Sequence, residues 1–168
     1  MRLFVMGKAG AGKSEVVKHL VDQHGFIDYE LSGKIKAVAE DLFGLTTKNR
    51  AFLQQLGAKM RELDPEVWIK YVAREIEWEE PKRAVVQAVR YRNEYDYFRD
   101  CGFKAVLVTA PLSVRLARLE RRDGTAQTNT LGHISETDLD GLEADRLLVN
   151  DGSISDLQLQ VDKLVRSL

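Results

Sequence analysis

Short apolar runs alternate along the chain with longer amphipathic segments. The runs are RLFVM at 2–6, GFIDYEL at 25–31, AVVQAV at 84–89, KAVLVTA at 104–110 and DRLLVN at 145–150. Nearly continuous apolar character suits strands buried on both faces, and five such strands separated by helices predict a parallel sheet covered on each side. Between the first two runs, KSEVVKHLVDQHG places Val16, Val17, Leu20 and Val21 on one helical stripe and ends at Gly25, a natural stop. Asp64 followed by Pro65 predicts a cap and a first-turn proline opening EVWIKYVAREIEWEE. PLSVRLARLERRDG predicts a helix from Pro111 that packs through Leu112, Leu116 and Leu119, with Arg115, Arg118 and Arg122 gathered on another face. Periodicity then stops. Asp123 to His133 reads as a loop by composition, so a lid segment is expected around 115–135. SETD at 135–138 and SISD at 153–156 resemble capping boxes with Asp in place of Glu, the second opening a closing helix with Leu157, Val161, Leu164 and Leu168. The pattern as a whole predicts one three-layer α/β domain over residues 1–168.

Composition narrows the partners. A chain of 168 residues is about one domain, with a single core. Lys and Arg total 25 against 26 Asp and Glu, so the net charge of −1 gives no overall pull toward nucleic acid or an anionic membrane. The single cysteine, Cys101, excludes an internal disulfide and reads as a spectator thiol. The three histidines, His19, His24 and His133, are scattered and suggest no metal site. No run approaches a membrane span and the first residues lack the pattern of a leader, so a cytoplasmic protein with a small-molecule partner is expected. Oligomeric state stays open.

The strongest chemical signal is MGKAGAGKSE at 6–15. Gly7, Gly12, Lys13 and Ser14 satisfy G-x-x-x-x-G-K-[ST] between a strand and a helix, the setting a phosphate-binding loop requires. Backbone N–H groups across Gly7, Lys8, Ala9, Gly10, Ala11, Gly12 and Lys13 can converge on one concavity while the helix N-terminus adds partial positive charge. A polyphosphate such as that of ATP fits there, with Lys13 on the β- and γ-phosphates and the Ser14 hydroxyl on Mg2+. A switch GTPase is disfavoured: no N-K-x-D segment is present, and the one D-x-x-G, DLDG at 138–141, follows a polar stretch instead of a core strand.

Four further segments, taken in order, resemble the deoxynucleoside monophosphate kinases of phages and bacteria. They are YELSGKIKAVAEDLFG at 29–44, LQQLGAKMRELDPEVWIKYV at 53–72, AVVQAVRYRNEYDYFRDCGFKAVLV at 84–108 and HISETDLDGLEADRLLVNDGSISDL at 133–157. The resemblance implies a nucleoside-monophosphate-kinase-like P-loop fold and transfer of the ATP γ-phosphate to a (deoxy)nucleoside monophosphate. It places Lys36, Arg61, Trp68, Arg90 and Glu94 at the acceptor, with an arginine suited to bidentate grip of a monophosphate. For Trp68, core packing and base stacking stand as equal alternatives. The lid arginines expected to act with Lys13 in catalysis are Arg118 and Arg122, because phosphoryl transfer depends on positioning and charge neutralisation. A salt-bridged surface helix is the competing reading of the same arginines. His133 and Glu136 match the family tail without an assigned role.

One position departs from the family. An aspartate usually precedes its V-R-F segment, and here that place is Ala88. Either Asp28, Glu30 or Glu94 substitutes, or the metal relies on Ser14, phosphates and water, or the domain binds nucleotide without turnover. Dephospho-coenzyme A kinase, which shares the fold, is the alternative enzyme, with DYELS at 28–32 as a poor version of its D-x-D.

Overall fold

Alternation within the first strand divides the core in two. In β1 (Arg2–Met6), Leu3 and Val5 point to one face of the sheet and Phe4 and Met6 to the other, all four fully buried. The computed structural model describes residues 1–45, 49–87, 89–123 and 138–168. Around β1 it arranges β2 (Ile27–Glu30), β3 (Ala84–Gln87), β4 (Lys104–Thr109) and β5 (Arg146–Val149) in the order β2-β3-β1-β4-β5. Every pairing is parallel, with Leu3 opposite both Val85 and Lys104, Ile27 opposite Ala84, and Thr109 opposite Val149. The five strands are the five predicted apolar runs: β1 spans its run in full and the other four fall within theirs.

Seven helices among the described residues cover the sheet: α1 (Lys13–His24), α2 (Gly33–Phe43), α3 (Arg50–Leu63), α4 (Val67–Glu79), α5 (Arg92–Asp100), α6 (Leu112–Asp123) and α7 (Ile154–Arg166). On the Leu3 and Val5 face, Val16, Val17 and Leu20 of α1 meet Leu157, Val161 and Leu164 of α7. On the Phe4 and Met6 face lie Ile35 of α2, Trp68, Ile69, Val72 and Ile76 of α4, and Tyr95 and Phe98 of α5. Phe4 meets the Tyr95 ring edge-on at 5.5 Å between centroids, a favoured aromatic geometry. The three-layer expectation therefore holds in detail.

Local signals also hold. Gly25 takes φ +64 and its N–H reaches the Leu20 and Val21 carbonyls, ending α1 where a residue with a side chain would be strained. The Ser153 and Asp156 box forms in both directions at the start of α7. Two details differ from expectation. Asp64 ends α3 instead of capping α4: its N–H still bonds the Met60 carbonyl while its carboxylate accepts from Glu66 N, so Pro65 and Glu66 form a turn and α4 starts at Val67. Leu112 is exposed, because α6 rests on the chain through an arginine face as well as through Leu119. Ala88, the loop residues 124–133, His133, Glu136 and most of the SETD box lie outside the described residues, as does the far part of the expected lid.

Because all strands run one way, their carboxyl ends share one edge of the sheet. The loop after β1, the starts of α2, α5 and α6, and Asn150 after β5 all emerge there, the usual place for a ligand in an open α/β sheet.

Candidate active site

The loop after β1 is shaped by two close approaches. Gly7 adopts φ +142, and a Cβ there would sit 2.2 Å from the Val108 carbonyl oxygen of β4. Gly12 adopts φ +104, and a Cβ would sit 2.1 Å from Asn150 Nδ2. Only glycine fits either place, which gives the two motif glycines a structural cause. Between them Ala11 N donates to the Lys8 carbonyl at 3.1 Å, turning the chain into the first turn of α1. Lys13 Nζ lies along the inside of this turn, donating to the carbonyls of Gly7 at 2.5 Å and Lys8 at 3.1 Å. Ser14 is exposed on the first turn of α1, where its hydroxyl is open to a phosphate-bound cation. Glycine-shaped cradle, helix N-terminus, lysine and hydroxyl together fit a polyphosphate with its divalent ion.

The back of the loop is braced by a residue to which the sequence reading gave no role. Asn150 is 5% exposed, and its Nδ2 donates to the Ala11 carbonyl at 2.8 Å. Its Oδ1 and its backbone carbonyl accept from Arg118 Nη2 at 3.1 and 3.2 Å, while Arg118 Nη1 reaches the Gly10 carbonyl at 3.4 Å. Arg115 Nη1 reaches the Ala9 carbonyl at 3.3 Å. Arg115 and Arg118 of α6 thus touch the loop, and Arg122, a turn further on, is exposed. The signal that points to Asn150 is its position: a polar residue directly after an apolar run, followed by Asp-Gly.

In front of the loop, Lys8 Nζ pairs with Asp140 Oδ2 at 2.9 Å. Asp140 belongs to a segment fixed over α5, where Asp138 accepts from Arg92 N at 2.6 Å and the Tyr95 hydroxyl donates to the Glu143 carbonyl at 2.8 Å. This segment, Met6, Gly7, Lys8, Thr109 and Arg115 enclose a cavity of about 210 Å³ beside the cradle.

A second group of charges lies past the ends of β2 and β3. Arg61 of α3 reaches Glu94 of α5, Nη2 to Oε1 at 3.1 Å, and its guanidinium stacks over the Tyr91 ring at 4.4 Å. Glu94 Oε2 accepts from Arg90 N at 2.8 Å and Tyr91 N at 3.2 Å, closing the N-terminus of α5. Glu94 is 1% exposed, and burial raises its carboxyl above the usual range against the pull of these donors. Lys36 Nζ holds both oxygens of Glu30 at 2.8 Å, and Ser32 donates to the same carboxylate. Asp28, bonded by Gln87, is raised to about 6 by desolvation and by Glu30. Trp68 is 3% exposed, packed in the core with Nε1 donating to the Gly57 carbonyl at 3.3 Å, so the packing alternative describes its position. Among the expected acceptor residues the fold brings Arg61, Glu94 and the Arg90 backbone into contact, and sets Lys36 apart with Glu30.

A braced phosphate loop on the central strand of a five-stranded parallel sheet, with charged groups on both sides, defines a P-loop protein of the small-kinase fold. The chain belongs to the AAA domain family, which matches it over residues 3–140. Solved structures agree on the fold. TT1252 from Thermus thermophilus superposes with a TM-score of 0.62 at 19% identity, covering 100% of this chain and 97% of that one. A gluconokinase from Sinorhizobium meliloti 1021 gives 0.60 at 16% identity, covering 99% and 94%, and the dephospho-CoA kinase from Campylobacter jejuni gives 0.59 at 16%, covering 99% and 96%. A comparison with curated protein sequences returns no match. No helix among the described residues is long and apolar enough to cross a membrane.

Proposed function

We propose that this chain transfers the γ-phosphoryl group of ATP to a (deoxy)nucleoside monophosphate. The observation that carries the reading is the pairing of a braced phosphate loop with a separate charged group on the β3 side of β1, where Arg61 pairs with Glu94 and Glu94 holds the Arg90 backbone. Lys13 swings from the Gly7 and Lys8 carbonyls onto the β- and γ-phosphates, and Arg118, which already touches the loop, offers its guanidinium to the charge that develops on the transferring group. The Ser14 hydroxyl, together with the phosphates, would hold Mg2+, which when bound would neutralise phosphate charge. The bond from the γ-phosphorus to the bridging oxygen breaks, a bond to the acceptor oxygen forms, and ADP leaves.

The chemistry of the acceptor favours a phosphate over an alcohol. An alcohol must surrender a proton as it attacks, which calls for a base, while the oxygens of a phosphate monoester carry about −1.5 to −2 charge at pH 7 and need none. Ala88 supplies no carboxylate where the resembling family has one. Arg61 and Arg90 suit the monophosphate that such an acceptor presents.

A second reading, transfer to the hydroxyl of dephospho-coenzyme A, is favoured by Asp28, whose carboxyl at about 6 is tuned toward base chemistry. One assay separates the two: ATP, Mg2+ and each acceptor in turn, with ADP release measured against Lys13→Ala. Turnover with a monophosphate is expected. Turnover with dephospho-coenzyme A alone establishes the second reading. ATP binding with no ADP release from any acceptor rejects both and leaves a nucleotide-binding module.

A further inference from the structure

Away from the sheet edge that carries the nucleotide loop, α1 and α7 bring together three side chains that the phosphoryl-transfer reading does not use. His19 Nε2 and His24 Nε2 each lie 2.8 Å from the same oxygen, Oδ1 of Asp162. The two imidazole rings meet edge to face, 5.5 Å between centroids. The three ligand atoms lie within 4.8 Å of one another, and the side chains keep 12, 17 and 26% of their surface open, so the cluster is ordered yet reachable from solvent. Two of the three histidines, which look scattered in sequence, therefore converge with an acid.

We propose that His19, His24 and Asp162 form a binding site for a divalent cation of the zinc class, which clamps α1 to α7. Two imidazole nitrogens and one carboxylate oxygen are a donor set for Zn2+, with solvent completing a tetrahedron. Imidazole is a poor match for Mg2+ or Ca2+, so this site and the Ser14 site select different ions. At metal–ligand distances of about 2.0–2.2 Å, neighbouring tetrahedral ligands stand roughly 3.4 Å apart. The present 2.8 Å separations need to open by little more than half an ångström, within reach of rotation about the side-chain torsions. Both imidazoles turn the same nitrogen, Nε2, toward the carboxylate, so one ion seated between them reaches all three groups. His19 and His24 stand roughly 10 and 18 Å along α1 from Gly12, so the ion sits in the half of the helix away from the phosphate loop and acts by holding that helix against α7.

The test uses the full chain, freed of metal by a chelator and titrated with Zn2+. Calorimetry is expected to show one equivalent bound at the cluster, with the melting temperature rising by several degrees and millimolar Mg2+ failing to reproduce the rise. Asp162→Asn and His24→Gln are expected to weaken Zn2+ binding at least tenfold, while Cys101→Ser and His133→Gln leave it unchanged. Co2+ bound to the wild-type chain is expected to lack a thiolate charge-transfer band. Should a cluster variant fail to fold, imidazole NMR of the wild-type chain decides, with Zn2+ shifting two ring systems and leaving the third. No uptake, uptake unaffected by Asp162→Asn and His24→Gln, or uptake lost with Cys101→Ser or His133→Gln would each overturn the assignment.

Discussion

Asn150 and Ala11 are 139 residues apart in sequence and 2.8 Å apart in space, Nδ2 to carbonyl oxygen, and this bond closes the phosphate loop onto the end of β5. The same side chain receives Arg118, so one buried amide joins the loop, the last strand and α6. Gly12 is glycine because that amide occupies the space a Cβ would take.

Asn150→Ala leaves the Ala11 carbonyl without its side-chain partner and Arg118 with one fewer acceptor. Loss of about 1–3 kcal/mol of stability is expected, with ATP affinity falling roughly tenfold, a loss equivalent to about 1.4 kcal/mol. Denaturant titration and calorimetry with ATP measure the two effects. Unchanged ATP affinity would show that the loop holds its shape without the amide.

Glu94 is a buried carboxylate whose partners are Arg61 and the backbone of Arg90 and Tyr91. Arg61→Ala strands that charge, and about 3–5 kcal/mol of destabilisation is expected, as for other broken buried pairs. The double variant with Glu94→Gln is expected to recover part of the loss, since the stranded charge is gone. A double-mutant cycle in urea reads the coupling; simple additivity would mean that the pair contributes nothing as a pair.

Asp28 makes stability depend on pH in a stated direction. Its carboxyl is raised from 3.8 to about 6, so between about pH 4 and 6 the folded chain holds more protons there than the unfolded chain. The contribution of this group is complete below about pH 4 and is lost as pH rises through 6. Asp28→Asn removes the dependence. Its melting temperature relative to wild type should therefore climb between pH 4 and 7, and a constant difference would refute the shift.

Trp68→Phe separates packing from ligand contact. Losing the bond from Nε1 to the Gly57 carbonyl and part of the ring volume should cost about 1–2 kcal/mol. KM for the acceptor should stay within twofold of wild type. A large rise in KM at unchanged stability would restore the base-stacking alternative.

The apolar runs and the glycine motif made much of this architecture legible. Burial on both faces writes itself as continuous apolar sequence, and a strand such as β4 is identified by its own residues. Gly25 and the Ser153 box were legible for the same reason, since each acts within a few residues of itself. Asn150, the pairing of Arg61 with Glu94 and the gathering of His19, His24 and Asp162 were not, because each depends on two elements brought together by the sheet order. A helical pattern places Arg115, Arg118 and Arg122 near one another but does not state that the first two turn onto the loop.

By itself, then, the sequence determined that a phosphate-binding loop follows the first strand of a parallel α/β domain, because periodicity and the special backbone of glycine are local properties. Tertiary structure alone decided which distant side chains brace that loop, which acid answers Arg61, and where two histidines meet an aspartate. Those facts follow from the crossing of β2-β3-β1-β4-β5, in which neighbours in space are seldom neighbours in the chain.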